Sequence, residues 1–139
     1  MFTIEGMTID DYDDAARLWT ATPEVGVSLI FDTRPRLAAY LQRNKGLSTV
    51  AYADGLLIGT LLCGHDGRRG SLYHMAVAQA YRQRGIARQM VARSLTGLRA
   101  EGIHTAFLFV ANDNPAAAAF WLAMGWEVAP HVQYYFAAF

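Results

Sequence analysis

The chain has little cysteine, no excess of charge of either sign and no long apolar run, and each shortage excludes a class of protein. Cys63 is the only cysteine, so an intramolecular disulfide and a thiolate metal cluster are excluded, which favours a reducing compartment. Nowhere do about eighteen apolar residues follow one another, and the first residues lack the pattern of a secretory signal. We therefore expect a cytoplasmic protein with no membrane partner and no metal.

Twelve basic and twelve acidic residues balance in number but not in position. Acidic residues collect between residues 5 and 14, and arginines collect between residues 82 and 99. A formal net charge of zero argues against nucleic acid as a partner, whereas a local arginine cluster suits a polyphosphate. The length of 139 residues predicts a single domain over residues 1–139.

Apolar periodicity and turn residues predict the order β-α-α-β-β-β in the first part of the chain. Thr8 is placed to cap the first helix, and Asp54-Gly55 favours a tight hairpin. Residues 21–32 combine Pro, Gly and mixed polarity, which predicts a loop that closes over something. The predicted elements are strand 2–6, a helix after Thr8, helix 33–44, and strands 47–53, 56–63 and 71–77.

The order continues as α-β-α-β-β. Residues 103–110 are apolar throughout, which predicts a central strand covered on both faces. Asn114 and Pro115 start the last helix and Gly125 ends it. Residues 126–129 and 132–139 are expected to form a final hairpin, and its charge-free run VQYYFAAF should lie inside the sheet, because an exposed edge of this kind aggregates.

The stretch from Leu72 to Met90 organises the rest of the chain. A strand, a glycine turn at Gly85 and a helix N-terminus follow one another here. This order builds an anion site, because the first N–H groups of a helix lack intrahelical partners and the helix dipole adds positive charge. Neither the P-loop spacing nor the G-x-G-x-x-G spacing is present, so the usual mononucleotide and dinucleotide sites are excluded.

Arg82-x-x-Gly85-x-Ala87 resembles the (Q/R)-x-x-G-x-(G/A) motif of the GNAT superfamily, the acyl-CoA-dependent N-acetyltransferases, here a small bacterial-type single-domain member. The strand end Met75-Ala76-Val77 and the segment from Asn112 to Trp126 are also similar to that family. The resemblance implies the α/β (α+β) GNAT fold, a mixed, mostly antiparallel seven-stranded sheet flanked by about four helices. It also implies that strands four and five splay apart around the pantetheine arm of acetyl-CoA, the expected cosubstrate.

The same resemblance implies which residues hold the cofactor. Strand four would pair with the pantetheine arm, the loop would hold the pyrophosphate, and the asparagine before the last helix would also bind the cofactor. These residues are Met75, Ala76, Val77, Arg82, Gln83, Arg84, Gly85, Ile86, Ala87, Arg88 and Asn114.

Acetyl transfer to an amine requires a neutral amine. A lysine-like amine of pKa about 10.4 is neutral in only about one molecule in 2,500 at pH 7, so deprotonating it costs roughly 4.6 kcal/mol of free energy. For an α-amine near pKa 8 the same cost is only about 1.4 kcal/mol. Many relatives place a glutamate base on strand four, and Ser71 stands at the closest position here. His74 is the candidate base, directly or through water; His65 and Asp66 come next, and His104 and His131 have weaker claims.

The family usually has a tyrosine, seven residues after its asparagine, that protonates the leaving thiolate. Trp121 stands there in this chain, and indole does not titrate in the useful range. Trp121 is therefore either a contact to the cofactor or a core aromatic. The acid is then Tyr134 or Tyr135, or the thiolate takes the proton shed by the amine.

The leading hypothesis is an N-acetyltransferase acting on a primary amine of a small molecule or peptide, as a monomer or homodimer. The first alternative is a catalytically degenerate domain that senses acyl-CoA, which the missing glutamate and tyrosine suggest. The second is a nucleic-acid adaptor that uses the arginine cluster, and the zero net charge argues against it. The acceptor would be selected mainly by residues 21–32 and the last hairpin, which carry no readable motif.

Overall fold

Local capping and turn signals set the element boundaries in the computed structural model, which describes all 139 residues. The chain divides into two units, Met1–Leu108 and Phe109–Phe139. In the first unit the strands are β1 (Thr3–Gly6), β2 (Thr49–Ala53), β3 (Leu56–His65), β4 (Gly70–Val77) and β5 (Ala106–Phe107). Its helices are α1 (Tyr12–Thr20), α2 (Arg34–Arg43) and α3 (Ile86–Ala100), with short 3-10 turns at Ile9–Asp11 and Gln79–Tyr81.

The predicted caps and turns of this unit are confirmed. The Thr8 hydroxyl accepts a hydrogen bond from the Asp10 N–H at 3.3 Å, and the Asp11 carboxylate accepts one from the Thr8 N–H at 2.9 Å. Asp54 and Gly55 adopt φ values of 52° and 76°, as a two-residue hairpin turn with both central φ angles positive requires. Residues 21–32 contain no helix or strand, as predicted.

The five strands form one mixed sheet in the order β1-β2-β3-β4-β5. Neighbours are antiparallel except β4 and β5, which run parallel and pair only at Gly70↔Ala106 and Ser71↔Phe107. Within the first unit, no strand therefore pairs with the outer edge of β4 from Leu72 to Val77. This is the half of the strand that leads to Gly85.

Alternate residues of β3 face different helices. A Cβ built on Gly59 would lie 3.1 Å from the Met90 Cε, so Gly59 faces α3. The Thr60 hydroxyl accepts a 2.8 Å hydrogen bond from the Trp19 Nε1, so Thr60 faces α1. Trp19, Met90 and Thr60 are each at most 1% exposed, and the sheet is therefore covered by α3 on one face and α1 on the other.

The prediction of a long, central fifth strand is wrong. The strand predicted over residues 103–110 is reduced to β5, two residues at the sheet edge, and the side chain of Phe109 is 54% exposed. An apolar run alone does not distinguish a central strand from a short edge strand, because strand preference depends on the neighbours available for pairing.

The second unit contains one helix, α4 (Pro115–Ala123), with the predicted start and end. The Asn114 side chain accepts a hydrogen bond from the Ala117 N–H at 3.1 Å, and Gly125 follows the helix with φ 90°. Trp121 is buried, with its ring in edge contact with those of Phe120 and Trp126.

The predicted final hairpin, residues 126–129 and 132–139, is also wrong, so the sheet has five strands and not seven. Residues 127–139 are all exposed and form no strand, so VQYYFAAF does not lie inside the sheet. The large hydrophobic residues exposed here are Val128, Val132, Tyr134, Tyr135, Phe136 and Phe139. These residue types favour strands, but no neighbouring strand pairs with them here.

None of the helices combines the length and the apolar character that crossing a lipid bilayer requires.

Candidate active site

The loop after β4 has a backbone conformation that explains Gly85. Gly85 is the N-cap of α3 and adopts φ 79°, in the left-handed region that residues other than glycine rarely adopt. A Cβ at Gly85 would have no atom within 4 Å, so any side chain there would project into open space at the helix N-terminus. The first intrahelical hydrogen bond runs from the Gln89 N–H to the Gly85 carbonyl, which leaves the N–H groups of residues 86–88 without intrahelical acceptors.

The arginines of this loop are not neutralised by carboxylates. Arg82, Arg84 and Arg88 take part in none of the ion pairs of the protein. The guanidinium of Arg84 lies 5.2 Å from the centre of the Tyr81 ring. The Arg82 Nε donates a 2.9 Å hydrogen bond to the Val77 carbonyl, which fastens the loop to the end of β4. This structural contact of Arg82 was not predicted from the sequence.

A bulge in β4 changes the direction of His74. Tyr73 pairs with Leu62 but Ala76 pairs with Thr60, so two residues of β4 lie opposite one residue of β3, and His74 adopts φ 51°. Bulges of this kind re-aim side chains. The imidazole makes an edge contact with the Trp19 ring at 4.8 Å, on the face covered by α1. Regular alternation would instead turn it, like Gly70, towards α3.

His74 is paired with a buried carboxylate. The His74 Nε2 lies 2.9 Å from the Asp32 Oδ2, and the two side chains are 13% and 5% exposed. The same carboxylate oxygen accepts the Ser28 N–H at 2.7 Å, and the Asp32 carbonyl accepts the Tyr12 hydroxyl at 2.7 Å. The loop of residues 21–32 thus supplies an acidic partner to β4. Asp32 was missed by the sequence reasoning, since it lies 42 residues from His74 and no motif marks it.

A cavity of about 300 Å³ adjoins the same strand. Ser71 and Tyr73 of β4 line it, together with Arg43 of α2 and Arg69 of the loop before β4. Arg43 makes no ion pair, and the Arg69 guanidinium lies 4.6 Å from the centre of the Phe107 ring. The remaining lining residues are Tyr40, Asn44, Gly64, His65, Asp66 and Phe107. The buried Tyr40 hydroxyl has no hydrogen-bond partner, and burial raises the pKa of this phenol well above its usual range.

The next candidate bases, His65 and Asp66, already accept or share hydrogen bonds within the protein. The His65 Nε2 lies 2.8 Å from Glu101, and its Nδ1 accepts the Gly67 N–H at 2.9 Å, so both ring nitrogens have partners. The Asp66 carboxylate accepts the Arg69 and Arg68 N–H groups, and these hydrogen bonds lower the pKa of Asp66. A carboxylate with a lowered pKa is a weaker base.

Three further predicted site residues, Asn114, Trp121 and Tyr134, lie in the second unit. The Asn114 amide oxygen caps α4, and Trp121 packs among aromatic rings. The exposed ring of Tyr134 has its centre 4.5 Å from that of Phe109 and 5.8 Å from that of Phe136. The structure brings no three His, Cys, Asp or Glu side chains together in a metal-binding group.

Several known proteins are similar to this chain in sequence or in fold. The model of the acetyltransferase (GNAT) family matches residues 12–126. An acetyltransferase of Photorhabdus laumondii is 33% identical over 77% of this chain and 73% of its own length. Among solved structures, the PaiA N-acetyltransferase of Thermoplasma acidophilum, in complex with coenzyme A, superposes with a TM-score of 0.77, at 18% identity over 93% of this chain and 91% of that one.

A second solved structure is an aminoglycoside acetyltransferase from an uncultured soil metagenomic sample, in complex with sisomicin. Its TM-score is 0.80, at 17% identity over 99% of this chain and 96% of that one. At such low sequence identity, the two superpositions show a shared fold alone. The family match, covering most of the chain, together with the 33% identical relative, shows that the chain belongs to the GNAT family of acetyltransferases.

Proposed function

We propose that this acetyltransferase moves the acetyl group of acetyl-CoA to a primary amine by direct attack on the thioester, with His74 as general base. The observation that carries the proposal is β4 itself. Within the first unit its outer edge is unpaired from Leu72 to Val77, it leads into the Gly85 loop, and its bulge carries the His74 imidazole. Donor binding and proton removal are thus assigned to one strand.

Donor binding rests on the backbone and the arginine cluster. The N–H groups of residues 86–88 and the unpaired charges of Arg84 and Arg88 suit a pyrophosphate. Residues Met75 to Val77 offer an unpaired edge to the pantetheine arm, which would add to it like a strand. Gln83, Ile86 and Ala87 complete the loop, and Asn114 remains a proposed contact.

In the chemical step the amine nitrogen attacks the thioester carbonyl carbon, so that the C–N bond forms and the C–S bond breaks. The proton released by the amine passes to His74, directly or through water. The thiolate leaves and is protonated by Tyr134, by Tyr135, or by the proton that the amine has shed, which the His74 imidazolium then passes on. Trp121 we assign to packing, because its ring is buried against Phe120 and Trp126.

We assign the acceptor to the cavity beside Ser71 and Tyr73. The guanidinium groups of Arg43 and Arg69 border it and form no ion pair, so an amine that also carries an anionic group is the acceptor class it favours. The substrate classes of the family, small-molecule amines and peptide amines, both fit a volume of about 300 Å³ if only the end of a peptide enters.

The experiment is a thiol-release assay with acetyl-CoA and a panel of amines, with mass spectrometry of the product. The panel contains a lysine peptide, a peptide α-amine with a free or amidated carboxyl terminus, and an aminoglycoside. We expect one thiol per N-acetylated product. A thermal shift on acetyl-CoA, about 2.7 kcal/mol of stabilisation at a hundredfold over Kd, with no acetylated amine, would instead support the acyl-CoA sensor.

Two variants of Gly85 provide the matched control. Asp and Asn have nearly the same shape and both tolerate the left-handed region, so Gly85→Asn and Gly85→Asp should fold alike. Only the aspartate places a negative charge where the phosphates are proposed to bind. We expect Gly85→Asp to lose the acetyl-CoA shift and Gly85→Asn to keep most of it; equal retention by both would contradict the phosphate site.

A further inference from the structure

We infer that Asp32 is a positioning residue for the proposed base: it holds the His74 imidazole in the tautomer that leaves Nδ1 free to accept the amine proton. The inference rests on the proposed function and adds to it a residue from the loop of residues 21–32. It also gives that loop a role in the chemistry beside its predicted role in acceptor selection.

The hydrogen bond fixes the tautomer. An ionised carboxylate only accepts, so the nitrogen that faces it, Nε2 at 2.9 Å from the Asp32 Oδ2, must carry the proton. In the neutral ring Nδ1 is then the basic nitrogen. Nδ1 makes no hydrogen bond to the protein and keeps some surface exposed to solvent, and the side chain as a whole is 13% exposed.

Two hydrogen bonds and burial hold Asp32 in place. Its Oδ2 accepts the Ser28 N–H at 2.7 Å, its carbonyl accepts the Tyr12 hydroxyl at 2.7 Å, and its side chain is only 5% exposed. On the other side the edge of the Trp19 ring and the bulge at φ 51° limit the rotation of the imidazole. A carboxylate fixed in this way orients the ring without having to reorganise during the reaction.

The surroundings of the imidazole contain few other charges. Helix α1 contributes Trp19, which is neutral, and β3 contributes Thr60, whose hydroxyl donates to the His74 carbonyl at 2.8 Å. The loop contributes Asp32, and Tyr12 is one contact further away. Asp32 is therefore the ionisable group that the structure places directly against the ring, and its charge stabilises the imidazolium formed when the proton arrives.

Asp32→Asn separates the charge from the hydrogen bonds. Both the Ser28 N–H and the His74 Nε2 use Oδ2, so a single amide oxygen can accept from both. The variant should fold with a melting temperature close to that of the wild type. We expect kcat/KM for a lysine peptide at pH 7 to fall about 10- to 100-fold, against ~100- to 10,000-fold for His74→Gln, with KM for acetyl-CoA unchanged.

Two readouts separate positioning from a structural role. The loss in Asp32→Asn should lie in kcat with KM for the amine unchanged, because Asp32 contacts the imidazole and does not line the acceptor cavity. The fold-decrease in rate caused by Asp32→Asn should be smaller for an α-amine acceptor, because deprotonating an α-amine costs less free energy at pH 7. Asp13→Asn, which removes the exposed carboxylate paired with Arg34, is the control and should leave both readouts unchanged.

Nitrogen NMR of the imidazole tests the inference without turnover. In the wild type the neutral His74 ring should carry its proton on Nε2, the nitrogen that faces Asp32. A proton on Nδ1 would overturn the inference even if the wild type acetylates amines. A wild type with the expected tautomer that acetylates no amine would instead reject the proposed function.

Discussion

Cys63 is chemically inert in the folded protein. It is fully buried, and burial raises the pKa of its thiol from 9.0 to about 12. The neutral thiol is therefore the native form up to about pH 12, and the stability it contributes is lost as pH rises from about 9 towards 12. At pH 8 we expect no reaction of folded protein with a colorimetric thiol reagent, and one equivalent in denaturing urea.

This expectation matters for the activity assay. The same reagent reports coenzyme A release, so an inert Cys63 gives no background from the enzyme itself. Reaction of the native protein within minutes at pH 8 would show that the β3–α3 interface, in which Cys63 is buried, opens more readily than the structure indicates.

The sequence did not predict contacts between residues that lie far apart in the chain. His74 was proposed from its strand and its chemistry, and the structure gives it a partner that spacing cannot reveal. The bulge that turns it towards α1 is equally invisible in the sequence, since Leu72 to Val77 looks like an uninterrupted strand. By contrast, Gly85 was predicted correctly as a turn, because the need for positive φ is a local property.

At the scale of elements, close contact between α3 and the sheet depends on small residues. A Cβ on Gly70 would lie 2.6 Å from the Leu98 Cδ1 and 3.4 Å from the Ala106 Cβ. Leu98 is 2% exposed and has little room to move, whereas the Ala106 Cβ is fixed by the backbone of β5. The glycine is thus required for α3 and β5 to approach β4 together.

Gly70→Ala should therefore destabilise the protein by about 1–3 kcal/mol, the usual cost of overfilling a packed site. Urea unfolding would measure it as a lower midpoint with an unchanged slope. Gly26→Ala is the matched control, because a Cβ there meets no atom within 4 Å and its φ is not positive. If both variants unfold at the same midpoint, α3 is not tightly packed against Gly70.

At the scale of the whole molecule, the sequence predicted the elements up to α3 well and the strands after α3 poorly. The elements up to α3 are delimited by local signals such as Thr8, Asp54-Gly55 and Gly85, and these were confirmed. Strands beyond β4 depend on which neighbours are available, and an apolar, β-branched or aromatic composition does not specify a neighbour. The predicted final hairpin failed for this reason, although α4, with its Asn114 cap and Pro115, was predicted correctly.

The C-terminal run gives the last prediction. Residues 133–136 form no strand, and the side chains of Tyr134, Tyr135 and Phe136 are at least 66% exposed. Backbone N–H groups without a strand partner open to solvent at little cost in free energy, so their amides should exchange far faster than those of Leu61 to Cys63 in the buried centre of β3. Hydrogen exchange at low protein concentration measures this, with β3 as the internal control. Protection equal to that of β3 would show that the run is paired in solution. Protection that appears only as the concentration rises would show that the partner is a second copy of the chain, since an unpaired, charge-free run of this kind is prone to strand addition.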